Sequence, residues 1–158
     1  EIKLNNNGSL SALEPTVISS EFIIIESTSP QSYEDLSKIT LDNLDLVVEA
    51  ASIDMGPVMA GFDENFAIGK ITVTRDLTLW NQYDNTPTYI GQEALYVHEL
   101  IVGADDTIYL NGYNLYYLDG YIDPAATIYY DGGSIIQVPE PTTLLLLGIG
   151  GLLIRKRR

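Results

Sequence analysis

Residues 95–102, Leu95-Tyr96-Val97-His98-Glu99-Leu100-Ile101-Val102, decide how this chain folds. Apolar side chains fall at Leu95, Val97, Leu100 and Val102: two in alternation, a two-residue gap, two in alternation. Ile39, Leu41, Leu44 and Leu46 repeat that spacing residue for residue. Ile71, Val73, Leu77 and Leu79 repeat it with one extra residue in the gap. Alternation puts each pair on one face of a strand, and the gap marks a corner between two short strands. Shorter pairs follow at Ile108 with Leu110, Leu115 with Tyr117, and Ile128 with Tyr130. Leu95 to Leu115 is twenty residues and Ile71 to Leu95 is twenty-four. Repeats of that length fit a parallel β-solenoid in which each coil stacks on the last.

The predicted fold is therefore all-β, a short right-handed parallel β-helix over residues 38–138, with an N-terminal β segment over residues 1–37. Asn111-Gly112, Asp119-Gly120, Asp131-Gly132-Gly133 and Gly103 with Asp105 punctuate the apolar pairs with turn residues. Asn111-Gly112 equally suits a two-residue antiparallel hairpin, which keeps a β-sandwich as the alternative. Phe22 to Ile25 reads as a compact strand bounded by serines, and residues 54–66 as a loop between coils. Residues 1–16, with Asn5-Asn6-Asn7-Gly8, are expected to be poorly tied down.

The chain of 158 residues holds 22 acidic and eight basic residues, one histidine and no cysteine. That length favours a single domain able to bury a core. The absence of cysteine excludes a disulfide framework, thiolate metal sites and a cysteine nucleophile. A net charge of −14 argues against nucleic acid, which is bound through Lys and Arg on phosphates. The charge is split along the chain. Residues 1–138 carry four basic residues against 21 acids, a net −17, while residues 139–158 carry four against Glu140, a net +3. Two parts in two environments are implied.

The last twenty residues supply the second environment. Val138-Pro139-Glu140-Pro141 precedes an uncharged run over residues 142–154, and Arg155, Lys156, Arg157 and Arg158 close the chain. A helix over that run would be about 20 Å long, short of a ~30 Å hydrocarbon core. The basic cluster extends its reach, because Arg and Lys stems snorkel to headgroups and positive charge holds that end inside. Pro139 and Pro141 break the chain ahead of the helix. The order is acidic body outside, proline break, short hydrophobic helix, basic stop inside.

Those three parts, in that order, resemble the PEP-CTERM protein-sorting signal. The resemblance implies recognition of Pro139, Glu140 and Pro141 by exosortase, a membrane-embedded, cysteine transpeptidase-like enzyme of Gram-negative bacteria that make exopolysaccharide. It implies a transient inner-membrane span over residues 144–154 and Arg155 to Arg158 as the cytoplasmic retention signal. Delivery to the cell surface or extracellular matrix would follow, with exopolysaccharide as a candidate partner. Proteins of this kind normally start with a signal peptide. This chain starts at Glu1 without Met, so it reads as a mature form or a fragment. Residues 93–102 and 110–117 further resemble terminal coils of bacterial β-helical surface proteins that carry this tail.

Candidates for chemistry are few. His98 is the only histidine, and alternation turns it away from Leu95 and Val97, toward solvent. It has no G-x-S-x-G nucleophile to serve, and nothing singles out one carboxylate pair among 22 acids, so no enzyme activity is expected. Asp63, Asp84, Asp105 and Asp106 lie in acidic turns that could offer oxygens to calcium, although none fits the spaced EF-hand loop. No other cofactor is implied. Ten of eleven tyrosines lie between Tyr83 and Tyr130. Among them Tyr109, Tyr113, Tyr116 and Tyr129 are candidate ligand contacts, since tyrosine offers an apolar face with a polar tip. The expected protein is an exported structural or interaction module of the envelope or biofilm. The alternative is a carbohydrate-binding or calcium-dependent adhesive module using the Tyr-rich acidic face.

Overall fold

The computed structural model describes residues 2–5 and 14–139. It is mostly β, with one large sheet whose pairings are parallel except for a single two-residue ladder. The strands are β1 (Ile2–Asn5), β2 (Thr16–Ile18), β3 (Phe22–Glu26), β4 (Ile39–Glu49), β5 (Ser52–Ile53), β6 (Ala67–Trp80), β7 (Glu93–Val102), β8 (Thr107–Tyr109), β9 (Asn114–Ile122), β10 (Thr127–Tyr129) and β11 (Ile135–Gln137). A 3-10 segment, Pro30–Lys38, leads into β4, and one helical turn, α1 (Ala60–Asp63), interrupts the loop after β5. The main path is β1-β3-β4-β6-β7-β9-β11, and β8 and β10 extend the far end of β6.

Parallel register stacks like on like. Leu41 pairs with Ile71 and Ile71 with Leu100; Leu46 pairs with Leu77, Leu77 with Ile108 and Ile108 with Ile128. Leu95, Leu115 and Ile135 form a third column. These side chains belong to one continuous core, and each one fully buried contributes roughly 1.5–3 kcal/mol. Outward positions carry charge, as in the Lys70–Glu99 pair at 2.8 Å and the Arg75 guanidinium against Asp45.

The twenty-residue spacing of Leu95 to Leu115 is a pairing in the fold, and it recurs from Leu115 to Ile135 and from Ile108 to Ile128. The spacing read from Ile71 to Leu95 is not a pairing. Ile71 faces Leu100, because residues 81–92 form a loop that lengthens this repeat. Leu44 also departs from the expected pattern. It is 54% exposed, since the β4–β6 register shifts between Asn43 and Asp45 and Val48 takes the fourth core position.

Asn111-Gly112 does not join a hairpin. Both residues have positive φ, of 50° and 87°, and the Tyr113 N–H closes the turn onto the Leu110 carbonyl at 2.9 Å. That is hairpin-turn geometry, yet β8 and β9 on either side pair with other strands, so the turn makes a corner. Asp131-Gly132 repeats the corner twenty residues on, with the Gly133 N–H on the Tyr130 carbonyl at 2.8 Å.

Near the start, residues 2–5 are tied down after all, as β1 on β3. Among the described residues no helix is long and apolar enough to cross a membrane. The short hydrophobic helix expected over 144–154 lies outside the described residues, as do Glu140, Pro141 and the basic cluster.

Candidate functional site

Strand β7 is buried on both faces, which alternation alone does not foresee. Leu95 and Val97 face the main core, while Ala94 and Tyr96 belong to a second cluster with Phe62, Ala67, Tyr116 and Val138. The cover comes from residues 54–66, which lie over the outer face of β7 and β9. Phe62 of α1 sets its ring edge-on to Tyr96 at 5.1 Å, and Tyr96 stacks on Tyr116 at 4.8 Å.

Asp54 fastens this cover. Its carboxylate accepts from the Tyr116 hydroxyl at 2.9 Å, the Asn114 amide at 2.7 Å and the Gly56 N–H at 2.9 Å. The Tyr96 hydroxyl accepts from the Met55 N–H at 2.9 Å and donates to the Gly56 carbonyl at 3.0 Å. Burial pushes the Tyr96 hydroxyl up to about 12. Tyr116 is raised further, by burial first and then by the Asp54 carboxylate beside it. Tyr116 is 3% exposed, so this candidate ligand contact is closed to solvent by the cover.

His98 is half-buried, not solvent-facing. Its ring meets Phe62 edge-on at 5.6 Å, and it lines a cavity of about 260 Å³ with Tyr33, Ser37, Asp63 and Asn65. Desolvation lowers its pKa, more than the nearby Asp63 raises it, which keeps the imidazole neutral near pH 7.

The remaining tyrosines lie toward the C-terminal end of the sheet. Tyr109 and Tyr129 are register partners and stack at 5.0 Å with only 4° between ring planes. Each covers one face of the other, and Tyr129 remains 49% exposed. Tyr113 is half-buried and lines an open polar cavity of about 360 Å³ with Asn81, Asp84, Tyr89, Gln92 and Glu93.

The four candidate calcium ligands do not converge. Asp63 ends α1 beside His98, Asp84 accepts from the Thr86 N–H at 3.1 Å, and Asp106 accepts from the Gly103 N–H at 2.6 Å. Asp105 is exposed beside Asp106. Among the described residues no group of three or more His, Cys, Asp or Glu could hold a metal ion.

Two buried carboxylates escaped the sequence reading. Glu49 accepts from the Gln82 and Tyr83 N–H groups at 2.6 and 2.9 Å, and Glu93 accepts from Asn81 at 2.5 Å and Thr86 at 3.1 Å. Burial raises both pKa values despite these bonds. The Asn85 amide donates to the Ile25 and Ser27 carbonyls. Together these groups pin residues 81–92, and polar composition alone gives no sign of it.

At the far end, Val138 belongs to the outer cluster and its N–H donates to the Tyr117 carbonyl at 2.7 Å. Pro139, the first proline of the triplet, is exposed. Comparison with protein families finds a PEP-CTERM protein-sorting motif at residues 137–158. No curated protein and no solved structure matches the chain. The motif implies a protein that is processed by exosortase, exported and sorted to the cell surface.

Proposed function

From that motif as premise, we propose that the protein is a non-catalytic structural or interaction module of the cell surface or extracellular matrix. The observation that carries the reading is the sorting motif joined directly to an acidic β body. In this reading the body is a short right-handed solenoid of stacked parallel coils. The twenty-residue registers of β7, β9 and β11 and of β8 and β10 support it. The tail holds the chain transiently in the inner membrane through residues 144–154, with Arg155 to Arg158 kept inside. Exosortase recognises Pro139-Glu140-Pro141, the tail is removed, and the body is delivered outside.

The test is intact-mass spectrometry of the full chain expressed in a host with its own exosortase. The expected product lacks the apolar run and the basic cluster, and changing Pro139, Glu140 and Pro141 to Ala abolishes that loss. A chain ending at Arg158 in the membrane fraction would leave a plain anchor in place of a sorting signal. A soluble, intact chain would remove the anchor as well.

A second reading is a carbohydrate-binding surface. It is favoured by the open cavity where the Tyr89 and Tyr113 rings flank Asn81, Asp84 and Gln92, a mix of ring and hydrogen-bonding groups that suits a sugar. Saturable binding of exopolysaccharide by calorimetry, weakened at least tenfold by Tyr89→Ala, is the expected result under this reading. Identical binding by the variant would dismiss the cavity.

A further inference from the structure

The sorting motif and the fold share residues. The matched segment begins at Gln137, the last residue of β11 and the register partner of Tyr117. Val138 comes next, bonded to the Tyr117 carbonyl and 2% exposed against Ala94, Tyr96 and Tyr116. Pro139 follows at once. No spacer separates the last core side chain from the recognition triplet.

A peptide is commonly recognised as an extended segment whose main-chain groups and alternate side chains are free to engage the partner. On the N-terminal side of the triplet they are already engaged. The Leu115 N–H donates to the Ser134 carbonyl at 2.8 Å, the Gln137 amide to the Leu118 carbonyl at 3.2 Å, and the Val138 N–H to Tyr117. Strand β11 is nevertheless a short segment at the edge of the sheet. It has three residues, none fully buried, and among the described residues β9 is its one strand partner. Short, half-exposed edge segments open at far lower free energy than core strands.

Resting on the sorting reading, we propose that β11 and Val138 form a latch that positions the sorting motif. Residues 135–138 must come away from β9 before exosortase can engage Pro139-Glu140-Pro141. Val138 is the positioning residue: its burial fixes where the chain leaves the fold, and its release supplies the extended segment ahead of the triplet. The rate of processing then follows the opening of the last strand.

A reversible staple tests this. Gln137 and Tyr117 face each other on strands about 4.8 Å apart, within the span of a disulfide, and the chain has no cysteine of its own. The Tyr117→Cys/Gln137→Cys full chain, with and without a six-residue Gly/Ser spacer between Val138 and Pro139, is incubated with exosortase-containing membranes beside the wild-type chain. The product is followed by mass. Oxidised, the stapled chain should be processed at least tenfold more slowly than wild type. Reduction should bring it within about twofold, and the spacer should restore processing with the staple still closed. Processing of the oxidised chain at the wild-type rate would overturn the latch, and so would a stapled chain that stays slow with the spacer. A wild-type chain that is itself not processed would remove the sorting reading and the latch with it, an outcome distinct from either.

Discussion

Replacing Gly120 with alanine should be the most damaging single-atom change in the body. Gly120 has φ +132°, a conformation that costs an L residue about 1–2 kcal/mol. A Cβ there would stand 1.9 Å from the Leu100 carbonyl oxygen, its partner across the β7–β9 ladder. That neighbour is backbone held in a sheet, so relief requires the strands to move apart, at a further cost of about 1–3 kcal/mol. A total of about 3–4 kcal/mol corresponds to a melting temperature lowered by about 10 °C. Gly132→Ala is the control. Its φ is also positive, but no atom lies within 4 Å of the added Cβ, so only the backbone term of about 1–2 kcal/mol applies. Thermal unfolding of the two variants side by side checks the ordering, and equal melting temperatures would show that the ladder yields around Gly120.

Asp54→Ala should be nearly as costly. The change leaves the buried Tyr116 hydroxyl, the Asn114 amide and the Gly56 N–H without their shared acceptor. Orphaned buried donors cost about 1–3 kcal/mol each, and partial re-solvation brings the expected total to about 3 kcal/mol. The loss should be local first. Amide exchange should quicken in residues 54–66 and at Val138, while β6 keeps its protection.

Titration gives an independent reading of the same network. Because Tyr96 is raised to about 12 in the fold and tyrosine ionises near 10 when unfolded, its contribution is intact below pH 10 and is lost as pH rises from 10 to 12. Asp54→Ala should move the Tyr116 titration back toward the ordinary value, because the Asp54 carboxylate is one of the causes that raise it. A Tyr116 titration unchanged in the variant would remove the Asp54 carboxylate as a cause of the shift.

Much of the β architecture is legible in the apolar spacing. Leu95, Val97, Leu100 and Val102 are core residues, as their alternation requires, and the twenty-residue step to Leu115 is a pairing. Leu44 misled because a register shift in β4 carries no sequence mark. His98 and Tyr116 misled for a common reason: alternation assigns a face, and whether that face meets solvent depends on what another segment lays over it. Here residues 54–66, 41 residues away at Met55–Tyr96 and 62 at Asp54–Tyr116, cover it. Glu49 and Glu93 were invisible for the same reason, since a carboxylate inside looks in sequence like a carboxylate outside.

The sequence by itself determined the address of this protein. A sorting tail works through short linear features (a triplet, an apolar run, a basic stop) that need no partner segment to be read. It also determined that the body is mostly β, because a period-two pattern and glycine turns are local properties of the chain. Only the tertiary structure decided which residues line the second core, that Asp54 fastens the cover over it, and that Val138 ties the sorting motif to β9. Those are contacts between segments far apart in sequence, and a parallel sheet makes nearly all of its pairings that way, so they exist only once the chain has stacked.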